Sequence, residues 1–313
     1  MNRLIYLMWL VFLSANVTAQ ELKLEVLQAH PEGVTTVMLP AHSLTLFSGG
    51  NDGKIYGWDK VDGRQTLSLQ GQRGAVEVFC DLNGQLISAG REEAIYVWNT
   101  VDGSLNKKLE GHQYYVETLA GCPKTNLLIS GSRDNSIKIW DVYRGRQRSY
   151  LDGHEDNVLA VAVHPNEHLT ASSGEDHRLR IWDMNSHQVV KEMVGEEQIK
   201  HLAFSPDGHY LIGVLEKKML VWDIATWEVK YHLRAHTAPI EAIEFRPGST
   251  ILGSVDRAGK VIFWDLPEGK LLRSFIPRDG HLTALAFSND GGELALGFQN
   301  GLVQLWNIEV LDQ

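Results

Sequence analysis

The chain has 313 residues, 29 basic against 39 acidic side chains, and a formal charge of -10. That balance argues against binding nucleic acid, whose affinity rests on neutralising phosphates, and no Lys/Arg run suggests an anionic membrane surface. Two cysteines, with no Cys-x-x-Cys and no His-Glu-x-x-His, leave no common zinc, haem or metalloprotease signature, so no metal and no cofactor are expected.

In chain order, residues 1–19 read as a secretory signal peptide. Arg3 gives a positive start, Leu4 to Leu13 is apolar throughout, and Val17-Thr18-Ala19 offers a small-residue cleavage site. About ten apolar residues fall short of the roughly 20 that span a bilayer. The mature protein, residues 20–313, is therefore expected to be exported without membrane insertion, to a periplasm first and otherwise secreted. The one Asn-x-Ser/Thr sequon, Asn16-Val17-Thr18, falls inside the leader.

Seven tryptophans, Trp58, Trp98, Trp140, Trp182, Trp222, Trp264 and Trp306, follow at intervals of 40 or 42 residues, five preceding Asp and two preceding Asn. A fixed period of that length predicts a β-propeller, in which each repeat is one four-stranded blade. The repeat ending at Trp140 reads as four short strands: Val116 to Ala120, Leu127 to Ser130, Ile137 to Trp140, and one ending near Leu151. Turn residues Cys122-Pro123-Lys124-Thr125 and Ser132-Arg133-Asp134-Asn135 separate them. The expected fold is all-β, a seven-bladed propeller. Its last repeat stops after a third strand, and Glu21 to Leu27 is expected to supply the fourth and close the ring.

Gly111-His112 with Trp140-Asp141 and Gly153-His154 with Trp182-Asp183 resemble the WD-repeat propeller family. His30 and His236, in Ala-His variants, also stand 28 residues before a repeat tryptophan. The resemblance covers all seven repeats. It implies that His30, Ser48, Asp52 and Trp58 form a buried hydrogen-bonded chain within one blade. It implies the same for His112, Ser130, Asp134 and Trp140, and for His154, Ser172, Asp176 and Trp182. A Ser-His-Asp set repeated in three blades is structural on this reading, not catalytic, and no catalytic residue is expected. Four repeats depart from the pattern. The second has Gln72 and Glu92, and the fifth has Gly195, Ile212 and Glu216. The sixth has Ala258 at the Asp place with Asp256 two residues early, and the seventh has Arg278, Leu296 and Asn300. Blades five to seven are accordingly expected to carry looser loops on that face.

The family resemblance implies that partners bind the face carrying the loops before the inner strands, and the channel mouth. Tyr114 and Tyr115 fall in such a loop, with Arg91 and Arg133 in the adjacent loops between second and third strands, and these are residue types enriched at binding hot spots; alternatively the tyrosines simply cover the blade. One position just inside each inner strand should point to the channel: Thr35, Glu77, Glu117, Leu159, Lys200, Glu241 and Thr283. Its three carboxylates either attract a cation or basic loop, or form a solvated rim. Cys80 and Cys122, in neighbouring repeats, are either a disulfide or two buried thiols. The function expected is a monomeric, non-catalytic platform binding one or more proteins and supporting assembly of an exported complex. The alternative is a channel that binds or transforms a small molecule through Glu77, Glu117, His201, Glu241 and Glu244.

Overall fold

The structure, a computed structural model, describes residues 21–26, 29–41, 43–278 and 280–308. The expected leader, residues 1–19, and the end of the expected closing strand at Leu27 lie outside the described residues. Among these residues, 28 strands form seven four-stranded antiparallel sheets, which is the seven-bladed propeller. Six blades use four consecutive strands; blade three runs Val116–Cys122, Leu127–Ser132, Ile137–Asp141 and Arg146–Leu151 from the inside outwards. In the seventh sheet the order is Glu21–Val26, Val303–Asn307, Glu293–Phe298, Leu282–Phe287, with Glu21 opposite Asn307 and Val26 opposite Val303.

Period-two patterning places the core between blades. In the third strand of blade three, Ile137 and Ile139 are buried while Lys138 between them is not. Ile129, Ile139 and Leu151 of blade three meet Val158, Val161 and Trp182 of blade four in one cluster, and six comparable clusters fill the other seams. Losing one such buried side chain to alanine costs about 2–5 kcal/mol. Cys80 joins the cluster between blades two and three, whereas Cys122 joins the one between blades three and four. Both thiols are free, which settles against the disulfide; Cys122 is buried and Cys80 only partly so.

Two local devices shape the loop face. Gly111 has φ +152°, and a Cβ there would lie 3.2 Å from the ring of Trp140, so the Gly-His dipeptide can run flat across the tryptophan only without a side chain. The second device is a β-bulge. In six blades the inner strand shifts register immediately after its first residue, skipping Thr35, Glu77, Glu117, Leu159, Glu241 or Thr283. A bulge leaves its extra residue unpaired and re-aims its side chain. Those are the positions expected to face the channel. In blade five the inner strand, His201–Phe204, has no such shift and Lys200 precedes it.

Candidate functional site

The three predicted tetrads form. In blade three Trp140 Nε1 donates to Ser130 Oγ (2.8 Å), Ser130 Oγ lies 2.7 Å from His112 Nε2, and His112 Nδ1 lies 2.8 Å from Asp134. The same contacts measure 2.8, 2.8 and 2.9 Å in blade one (Trp58, Ser48, His30, Asp52) and 2.8, 2.7 and 3.0 Å in blade four (Trp182, Ser172, His154, Asp176). Each network accommodates a neutral imidazole, with Nε2 accepting from the serine hydroxyl and Nδ1–H donating to the carboxylate. Burial holds His30, His112 and His154 below the ordinary value of 6.5 even though the aspartates pull the other way. These networks tie loops to third strands and point at no cleft in common.

Blade six corrects an expectation. His236 contacts Ser254 at 2.7 Å and Asp256 at 2.8 Å, and Trp264 donates to Ser254, so a fourth full network exists. Blade two has a substitute: Ser88 donates to Gln72 Oε1 at 2.9 Å and takes the Trp98 proton. Its Glu92 caps the backbone N–H groups of Arg73 and Gly74 and receives the Tyr96 hydroxyl. Blade five, with Ile212 fully buried at the serine place, has none of this chain. In blade seven Trp306 donates to Gln304 instead, and His281 sits exposed against Gln299.

The channel-facing positions Thr35, Glu77, Glu117, Leu159, Lys200, Glu241 and Thr283 all line one central cavity of about 1060 Å³. A second set, from the loops between second and third strands, lines it too: Asn51, Arg91, Arg133, Glu175, Arg257 and Gln299. The two sets are paired by charge. Arg91 Nε binds Glu77 at 2.8 Å, Arg133 Nε binds Glu117, and Arg257 binds Glu241 through Nε (2.8 Å) and Nη2 (2.7 Å). Four carboxylates (Glu77, Glu117, Glu175, Glu241) face four cations (Arg91, Arg133, Lys200, Arg257), so the channel is not the acidic ring expected from its inner positions alone. Arg257 was legible in principle, since it stands seven residues before Trp264 as Arg91 and Arg133 stand before Trp98 and Trp140.

Of the five groups named for a channel chemistry, four line the central cavity and Glu244 does not. Three are the ion-paired glutamates. His201, pushed down to about 4 by burial and by neighbouring Lys200, lines the cavity from blade five. Glu244 turns to the seam between blades six and seven, where it receives the Phe287 N–H at 3.3 Å. Burial pushes its carboxyl up to about 8. Among the described residues no three His, Cys, Asp or Glu side chains gather to hold a metal ion.

The four loop-face residues do come together. Tyr114, half exposed, packs on Tyr115 with ring centroids 4.7 Å apart. The Arg133 N–H donates to the Tyr115 carbonyl at 2.9 Å. Tyr115 and Arg91 share the lining of a second cavity, about 690 Å³, between blades two and three.

Comparison with known proteins agrees with this architecture. The family described as WD domain, G-beta repeat matches residues 22–59, 103–141, 145–183, 187–223 and 269–307, more than half of the chain. The chain is 28% identical over 110 residues to Transcription initiation factor TFIID subunit 5 of Caenorhabditis elegans, covering 34% of this chain and 17% of that protein. It is 28% identical over 109 residues to Target of rapamycin complex subunit wat1 of Schizosaccharomyces pombe, 34% of each. It is 29% identical over 120 residues to Protein NEDD1 of Bos taurus, 37% of this chain and 18% of that one. The matches thus span between 17% and 34% of these relatives, two of which are by name subunits of complexes. With seven blades, four complete Trp-Ser-His-Asp networks and this family match, the chain belongs to the WD-repeat propeller family.

Proposed function

We propose that this propeller is a non-catalytic, monomeric platform that binds other proteins through the loop face of blades two and three. The observation that carries the reading is the contact chain on that face: Tyr114 packs on Tyr115, the Arg133 N–H donates to the Tyr115 carbonyl, and Tyr115 lines one cavity with Arg91. Tyrosine and arginine anchor binding energy because they bury large, rigid area and keep a polar end for a hydrogen bond. Membership of a family whose matched relatives include subunits of complexes supports protein partners. The fold alone does not name them.

The leader supports placing this platform in an exported compartment, the periplasm first, where it would help assemble a complex. Sequencing the amino terminus of protein recovered from its host tests this; a start at Gln20 agrees, and a retained Met1 or Asn2 contradicts. The binding reading is tested by capturing partners on the intact protein and on Tyr114→Ala/Tyr115→Ala. A partner retained by the first and lost from the folded variant supports it. A partner held equally by both places the interface elsewhere.

A further inference from the structure

We propose that the segment bound on this face is acidic, its carboxylates seated on Arg73, Arg91 and Arg133 beside Tyr115. The inference rests on the loop-face reading and fixes the chemistry of its partner, reversing the sign that the inner glutamates suggest on their own.

Order along the channel axis decides that sign. The Arg91 side chain is 61% exposed against 28% for Glu77, and Arg133 is 43% exposed against 23% for Glu117. A partner arriving from the loop face therefore meets guanidinium before carboxylate. Both arginines use Nε towards their glutamates, so each ion pair engages the Nε side of the guanidinium. A guanidinium held in this way is preorganised, and its Nη edge matches a carboxylate bidentately.

Arg73 adds a third cation. It is exposed, lines the same cavity as Arg91 and Tyr115, and makes no ion pair among the described residues. The acids of that cavity are mostly engaged: Glu92 by two backbone N–H groups and the Tyr96 hydroxyl, Glu110 by Lys108 at 2.7 Å. Glu93 alone lines it exposed and without an ion pair among the described residues. The neighbouring loops of blades four and five carry Glu155, Asp156, Glu175 and Glu196, none in an ion pair among the described residues. Like-charge repulsion there confines an acidic segment to blades two and three.

The test uses the full mature protein and three fluorescent hexapeptides, poly-glutamate, poly-lysine and glycine-serine, followed by polarisation at fixed ionic strength. Three variants accompany it: Arg73→Ala, Glu117→Arg/Arg133→Glu and Tyr114→Ala/Tyr115→Ala. The reversed pair keeps an ion pair at the bulge and so guards against simple unfolding, which its melting temperature checks. The expected result is binding of poly-glutamate only, weakened at least about tenfold by the reversed pair and by Arg73→Ala, and by added salt. No binding of poly-glutamate, preference for poly-lysine, or indifference to the reversed pair overturns the proposal. A captured partner lost from the tyrosine variant yet retained by the reversed pair overturns it too, while leaving the loop-face reading in place.

Discussion

Asp256 Oδ2 lies 2.8 Å from His236 Nδ1, reached from a place 20 residues along the chain, whereas in blades one, three and four the aspartate lies 22 residues along. Asp256 ends its strand, and its other oxygen receives the backbone N–H groups of Ala258 and Lys260 at 3.0 and 2.9 Å, so one carboxylate serves both the network and the turn. Asp256→Ala is expected to cost about 1–3 kcal/mol, as a buried donor loses its acceptor. Asp134→Ala should cost a similar amount, while Ala258→Asp restores nothing. Denaturant titration checks this; a neutral Asp256→Ala would show that the contact carries no stability.

Acid should weaken the fold through its histidines. His30, His112, His154 and His236 sit below the ordinary 6.5 because burial disfavours imidazolium, and His201 lies at about 4. The unfolded chain takes up protons below pH 6.5 that the folded chain refuses, so stability is full above that value and falls as pH descends towards 4. Glu244 has the opposite sign. Its contribution is complete below the ordinary 4.5 and is lost as pH rises through about 8. The melting temperature is therefore expected to drop from pH 7 to pH 4.5, and Glu244→Gln to melt above the parent at pH 9 but level with it at pH 4. A flat profile between pH 7 and 4.5 contradicts the assignment.

Neither thiol should react in the native state. Burial pushes Cys80 and Cys122 up to about 12, so almost no thiolate exists at pH 8. A colorimetric thiol reagent is expected to titrate no cysteine in the folded protein and both after denaturation. Rapid native labelling, or silence after denaturation, would show instead exposed or already oxidised sulfur.

Much of this fold was legible because the repeat writes it seven times. A tryptophan every 40 or 42 residues gave blade number, and the spacing of His112, Ser130 and Asp134 gave the networks. The channel positions were legible as residues but not as chemistry, since Glu77 and Arg91 lie 14 apart and only the bulge turns one towards the other. Blade six departs from its expected pattern for a related reason: Asp256 works from the strand end, outside the loop place where the repeat spacing puts the aspartate. The partition of Cys80 and Cys122 into different seams depends on side-chain direction, which their similar repeat positions hide.

The pairing of Glu21–Val26 with Val303–Asn307 predicts a dependence on the first strand. A chain lacking residues 21–26 presents the hydrogen-bonding edge of Val303–Asn307 to solvent, a template for intermolecular pairing. It is expected to melt lower and to associate on size exclusion, whereas a chain lacking only residues 1–19 should not. Equal melting of the two would mean that the pairing adds nothing to the ring.

The most direct test of the central claim is a hydrogen-exchange footprint of the platform with a captured partner bound. The account predicts protection in the loops around Arg73, Arg91, Tyr114-Tyr115 and Arg133, and little change on the hairpins of the opposite face, such as Val101 and Tyr143. Protection confined to those hairpins, or to the channel wall at His201 and Glu244 with the loops unchanged, would contradict it.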